Sequence, residues 1–324
     1  MTRQANTLSA PIEHEQFAWL DALAEPLQAA AHKLFRSSKA GMVTKSLLNG
    51  TPVRHRVHPA LIIVPLGAWT TAAFLDFLDA MQPEASEQTY GPSADASIAL
   101  GLVSAVPVIA AGIADWVDTY DQHRRVGMAH ALVNSVALTL YGVSLGLRLA
   151  SGERRGLARV VGALGYGAVM LGGALGGELV YNLGVNVPWT LYPKLPNEWL
   201  DVLASEDLPE GKRRVVDVDR VPVLLYCLGG EIYAVEAWCP HAGGPLIEGT
   251  FEGHVVECPW HQSRFDLKDG HPMQGPASSN LRTFAVREDA GRIHIQPSYE
   301  GQNWPPAPKP MPETAGRVRV ETAD

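Results

Sequence analysis

The sequence predicts a multidomain chain: an all-α four-helix transmembrane bundle followed by a small all-β domain. Three observations predict it. Four apolar stretches follow one another between residues 59 and 177, each close to the ~20 residues that cross a hydrocarbon core. From Trp199 onward the pattern changes to short strand-like runs separated by Gly and Asp turns. Two short boxes rich in Cys, His, Pro and Gly interrupt those runs at residues 239–246 and 258–266. The 324 residues suffice for two domains with sizeable cores. A formal net charge of -8 argues against a nucleic-acid partner.

Residues 1–57 read as an amphipathic helical segment. Phe17, Leu20, Leu23, Leu27, Leu34 and Phe35 recur at helical spacing, with His14, Glu15, Glu25, His32, Lys33 and Arg36 between them. Its apolar face has three candidate neighbours: the membrane surface, the cytosolic domain, or an ordinary core. Glu13, Glu15, Asp21 and Glu25 interrupt it, so no cleaved signal peptide is expected.

The transmembrane domain is assigned to residues 58–183. Its stretches are 59–78, broken only by Asp76; 96–114, without charge; 126–147, between Arg125 and Arg148; and 160–177, between Arg159 and Glu178. A soluble all-α bundle is the alternative, but soluble helices are shorter and keep a polar face. The fourth stretch holds Gly162, Gly165, Gly167, Gly172, Gly173, Gly176 and Gly177. Gly172 with Gly176, and Gly173 with Gly177, match the small-xxx-small spacing that lets helices approach in lipid. Lys and Arg are dense before the first span and absent from 82–95, and Arg124 and Arg125 fall in the second loop. Arg154 and Arg155 in the third loop argue the other way. The balance places both termini and the β domain in the cytoplasm of a multi-pass inner-membrane protein.

Residues 184–198, with Pro188, Pro193 and Pro196, read as a linker. In the all-β domain, 199–298, strands are expected at 214–219, 222–228, 232–237 and 254–257, with a closing hairpin over 281–287 and 292–296. The Pro-rich tail, 299–324, reads as disordered.

Read as ligands, the boxes give Cys-x-His, a gap of sixteen residues, then Cys-x-x-His. Two thiolates and two imidazoles in that order suit a Rieske-type [2Fe–2S] centre, one iron on Cys239 and Cys258 and the other on His241 and His261. Gly243 and Gly244 let backbone pass close to sulfur, and Pro259 stiffens the second turn. A structural zinc site also uses two Cys and two His, but it usually pairs like ligands close together. The third cysteine, Cys227, has no partner that is not already a ligand, so no disulfide is expected.

With those residues in place, 199–296 resembles the Rieske ferredoxin-type domain. Phe265-Asp266-Leu267 and Gly270 fit that family's continuation of the second box. The resemblance implies a cluster held at the tip of a small β domain by two loops. The high-potential, quinol-oxidising branch carries an extra cysteine in each box, joined as a disulfide; here those positions are Gly244 and Trp260. Ser263 matches that branch's serine, but Phe265 stands where it has a tyrosine. Fewer donors to sulfur predict a potential in the low or middle part of the Rieske range. Residues 57–182 resemble a family of uncharacterised bacterial four-span membrane proteins, through His58-Pro59, Asp76, Asp115, His130 and the Gly-rich fourth span. That resemblance implies no activity.

Ionisable residues in spans default to a functional hypothesis. His58, Asp115, His130 and Glu178 all fall at the cytoplasmic end, with Asn134 one turn beyond His130. They admit a quinone pocket, a proton path, haem held axially by His58 and His130, or simple hydrogen bonding between helices. The expected function is one-electron transfer through a [2Fe–2S] cluster, an oxidoreductase component with an unidentified redox donor and acceptor, set in the lipid bilayer. The alternative is a redox-responsive sensor or scaffold. An oxygenase would need a further mononuclear iron site, for which no soluble segment remains.

Overall fold

The computed structural model describes residues 10–13, 15–81, 90–150, 154–187, 198–218 and 221–297. Most of the linker and the whole Pro-rich tail lie outside them.

After a single turn at Ala10–Glu13, two longer helices precede the bundle: α1 (Trp19–Arg36) and α2 (Lys39–Asn49). The Ser38 side chain caps α2 by accepting from the Gly41 N–H, and Gly50, at φ +80°, ends it in the left-handed conformation that glycine takes without strain. Four helices are long and apolar enough to cross a membrane: α3 (Val57–Met81), α4 (Gly91–Trp116), α5 (Asp121–Ala150) and α6 (Arg155–Asn182). They form two hairpins, α3–α4 and α5–α6, each packed tightly within itself. The hairpins meet around Trp69 and Tyr141, whose rings stack at 4.7 Å, with Ile98, Ala105, Ala137 and Val169 around them. Inside α3–α4, Gly101 leaves the Trp69 ring its space: a Cβ there would stand 2.1 Å from Trp69 Nε1. The Gly-rich helix divides by face. Gly172 and Gly176 lie against Asn134 and His130 of α5, whereas Gly173 has nothing within 4 Å. Only one of the two small-xxx-small pairs therefore serves contact between helices.

At the end of the bundle away from the β domain, the wholly buried Arg148 side chain donates to Asp76 and Asp95, and Arg155 and Arg159 pair with Asp79. Arg155, which argued against the orientation, is thus held by carboxylates of neighbouring helices.

Part of the apolar face of α1 covers the near end of the bundle, while Leu23, Leu27 and Leu34 of that face stay exposed. Leu20 and Ala24 bury against Met128, Phe35 against Ala114 and Val117, and Asp21 pairs with Arg124 and Arg125.

The β domain has three antiparallel sheets, ordered β1-β10-β9, β2-β3-β4 and β5-β6-β7-β8. The strands are β1 (Leu200–Ala204), β2 (Arg213–Val218), β3 (Val221–Leu228), β4 (Glu231–Glu236), β5 (Thr250–Glu252), β6 (Val255–Glu257), β7 (Arg264–Asp266), β8 (Pro272–Gln274), β9 (Phe284–Asp289) and β10 (Arg292–Pro297). The alternation of β3 builds two cores. Val223 and Leu225 face Ile293 and Ile295, while Leu224 and Tyr226 face Val256, Phe265 and the two box cysteines. The closing hairpin starts at Phe284 rather than Leu281, because the Leu281 N–H is already bonded to Gly270 O. Cys227 is half-buried, its thiol 3.7 Å from Glu210.

Candidate metal centre and the helical face beneath it

The two boxes fold into matching loops. Cys239 O accepts from Gly243 N (2.8 Å) and Cys258 O accepts from Gln262 N (3.0 Å), so each loop closes on the fourth residue after its cysteine. That residue is left-handed in both, Gly243 at φ +76° and Gln262 at φ +62°. The turns aim main-chain N–H groups at sulfur: those of His241 and Ala242 at Cys239, those of Trp260 and His261 at Cys258. Such nests of amides stabilise negative charge. Gly244 is fixed by space, since a Cβ there would lie 2.7 Å from Cys258 Sγ and 3.2 Å from the Trp260 ring. Pro259 occupies the second turn between Cys258 and Trp260. Ser263 is fully buried, and its Oγ accepts from the Ala277 N–H at 3.0 Å.

The four donors divide into two like pairs. The thiols of Cys239 and Cys258 are buried and hydrogen-bonded to each other. That bond draws the Cys258 thiol down to about 7, while burial pushes Cys239 up. The His241 and His261 rings stand edge to face, centroids 4.9 Å apart. Burial holds both imidazoles below the ordinary histidine range. His241 Nδ1 is buried without a hydrogen-bond partner. Among the described residues no three His, Cys, Asp or Glu side chains converge on a single ion. A buried thiol pair and an imidazole pair on the two loops, with His241 Nδ1 left unpartnered, fit the two-sulfur, two-nitrogen donor set of a [2Fe–2S] centre.

The imidazole pair is partly covered, His241 buried and His261 half-buried. It rests on a polar platform built by α1, α2, the Gly50–Val57 turn and the end of α4. Asp118, buried, is clasped by Lys45 and by Arg36 at 3.1 Å, and its charge reaches both His241 and His261. Lys45 and Asp118 hold each other charged: burial works against both ions, and the pairing leaves Asp118 below the usual carboxylate range. Beside them Asn49 Nδ2 donates to Asp115 at 2.6 Å, and Arg56 reaches Asp115 (3.4 Å) and Pro276 O (3.2 Å). Thr51 donates to Ala277 O, Ser46 Oγ accepts from the Gly275 N–H, and Arg54 lies 2.8 Å from His271 Nδ1. The loops that carry the boxes are thereby clipped to the helical half.

Of the intramembrane candidates, the structure brings four to one neighbourhood. His58 lies within electrostatic reach of both Asp115 and His130. Asn134 packs on His130, its Nδ2 3.3 Å from His130 Nε2. Glu178 accepts instead from Asn182 one turn along its own helix. Sequence reasoning missed Asp118, Lys45, Arg56 and Asn49. A signal existed in Asp118, one helical turn after Asp115, but nothing in the spacing told which segment would lie over it.

A thiolate pair and an imidazole pair on two clipped loops define a Rieske-type redox domain, here docked on a helical bundle. Comparison with known proteins agrees. Residues 198–285 match the family described as Rieske [2Fe-2S] domain, and residues 54–188 match the family described as predicted membrane protein (DUF2231). The ferredoxin component of a naphthalene 1,2-dioxygenase system from Pseudomonas aeruginosa is 35% identical over 101 residues, 31% of this chain and 97% of that protein. Ferredoxin CarAc from Metapseudomonas resinovorans is 37% identical over 98 residues, 30% of this chain and 92% of that protein. A solved structure, the ferredoxin of carbazole 1,9a-dioxygenase from Nocardioides aromaticivorans IC177, shares 30% identity with a TM-score of 0.30, covering 31% of this chain and 98% of that one. The chain belongs to the Rieske [2Fe–2S] family, with a DUF2231 helical domain ahead of the redox domain.

Proposed function

We propose that the chain is a membrane-tethered one-electron carrier, an oxidoreductase component rather than an oxygenase. Cys239 and Cys258 bind one iron of a [2Fe–2S] cluster, and His241 and His261 bind the other. The bound cluster supplies single-electron storage. The chain's own residues hold it: loop amides face the sulfurs, Gly244 leaves room for them, and Asp118 with Lys45 fixes the charge facing the imidazoles. The observation that carries the reading is the division of four donors into a buried thiol pair and an adjacent imidazole pair. The relative named as the ferredoxin component of a naphthalene 1,2-dioxygenase system and the one named Ferredoxin CarAc support it.

The partner is quinone-like in the membrane, or a cytosolic redox protein. Packing of the histidine edge on the helical half favours exchange on the membrane side. Both termini and the cluster lie in the cytoplasm, and reporter fusions at each end test this; a periplasmic C-terminal reporter would reverse the orientation. Purified full-length protein is expected to carry iron and acid-labile sulfide with a Rieske-type electron paramagnetic resonance signal. Cys258→Ser abolishes that signal, and its survival would refute the ligand assignment.

A further inference from the structure

We propose that the helical bundle holds a b-type haem between His58 of α3 and His130 of α5, a second one-electron centre beneath the cluster. The two hairpins are built alike around these histidines. In α3–α4, His58 Nδ1 lies 2.9 Å from Val108 O. Four residues on, Gly112 leaves the ring its space: a Cβ there would stand 3.0 Å from the imidazole. In α5–α6, His130 Nδ1 lies 2.8 Å from Gly172 O. Four residues on, a Cβ on Gly176 would stand 3.2 Å from that imidazole. Val108 sits eight residues before the end of α4 and Gly172 ten before the end of α6, so the rings occupy similar depths. They lie within electrostatic reach of each other.

The chemistry of the pair selects the ligand. A main-chain carbonyl can only accept, so Nδ1 carries the proton in both rings and Nε2 keeps its lone pair. A ring nitrogen donated to a carbonyl is how a protein orients a metal-ligating imidazole. Two lone pairs suit a metal or a hydroxyl donor, and they cannot donate to the carbonyls of an oxidised quinone. No third His, Cys, Asp or Glu joins them among the described residues. A bare transition metal asks for more ligands, whereas an iron porphyrin brings four nitrogens and needs only an axial pair. Asn134 Nδ2, held on His130 O at 2.8 Å, lies 3.3 Å from Nε2 and 3.4 Å from Nδ1, against the ring and off the axis of the Nε2 lone pair. Asp115 links this level to the cluster platform through Asn49 and Arg56. One electron leaving the reduced cluster would take ferric haem to ferrous, with no proton or other reductant required.

The proposal stands apart from the cluster assignment, and its test reads the two separately. Full-length protein is expressed with a haem precursor and purified in detergent. The pyridine haemochrome assay is expected to give about one b haem per chain, with six-coordinate low-spin spectra in both oxidation states. His58→Ala and His130→Ala each lose the low-spin bands while keeping the cluster signal, and added imidazole restores those bands in His130→Ala. Protein that carries its cluster signal but neither contains haem nor takes up added hemin as a low-spin species overturns the proposal. So does haem that remains low-spin in both histidine variants.

Discussion

At the scale of single residues, two buried carboxylates carry most of the electrostatic content. Asp118 presents a negative charge to the imidazole pair, held ionised by Lys45 and Arg36. A fixed anion disfavours the added negative charge of a reduced cluster. Asp118→Asn should therefore raise the potential, on the order of 50 mV for about 1 kcal/mol of screened interaction. A redox titration followed by paramagnetic resonance reads this, and an unchanged or lower potential would count against the platform's influence. Glu236 in β4 is the second case. Burial pushes its carboxyl up to about 7, against the pull of Arg282 at 3.6 Å. A raised folded-state value means that the native state holds its proton while the unfolded chain has lost it. Stability is thus full below about pH 4.5 and falls as pH rises toward 7. Glu236→Gln removes that loss, and its stabilisation relative to the parent should grow to about 2–3 kcal/mol between pH 5 and pH 8. Denaturant melts at the two pH values measure it; a gain equal at both would show that the carboxyl does not titrate there.

At the scale of elements, the two cluster loops differ at one matching position. Gly243 and Gln262 both adopt positive φ, but only glycine does so without a Cβ penalty. The Gln262 hydrogen bonds of the loop are main-chain, its N–H to Cys258 O and its carbonyl to Gln274 Nε2, so Gln262→Gly keeps them. The substitution should stabilise the domain by about 0.5–1 kcal/mol after the extra chain entropy of glycine is subtracted. A thermal midpoint below the parent's would mean that the Gln262 side chain contributes more than the strain costs. The loops were also the most legible elements in the sequence, because box chemistry is local: each ligand, turn glycine and proline lies within a few residues of its neighbours. The four apolar helices were equally legible from length and lack of charge. Short strands such as β5, β7 and β8 were not, since three residues carry no period. The face of α1 was ambiguous because amphipathicity tells that a helix is covered, not by what. The platform was invisible for the same reason: Lys45 and Asp118 are 73 residues apart and meet only through tertiary packing.

At the scale of the whole molecule, the arrangement that matters is the seating of the cluster loops on the helices. His241 is 8% exposed there, and His261 is half-buried. One position tests whether that seating governs electron traffic. Gly275 lies where β8 meets α2, its N–H bonded to Ser46 Oγ at 3.0 Å. A Cβ there would stand 2.4 Å from Thr51 Oγ1 and 3.3 Å from Ser46 Cα. Its φ is not left-handed, and the clash of an added side chain falls on Thr51 and Ser46 of the helical half. Gly275→Val should pry the loops from the platform while leaving the four cluster donors and the two β cores intact. Amide exchange in Lys39–Asn49 should then rise at least tenfold, the equivalent of ~1.4 kcal/mol of lost docking. Reduction of the cluster by a soluble ferredoxin reductase should accelerate, because the imidazole edge becomes reachable from solution. If exchange rises but reduction by the soluble enzyme stays slow, the covered edge is not what limits access. Faster reduction with undocked loops would instead make the bundle the cluster's own partner, one that excludes competitors by occupying the edge through which electrons leave.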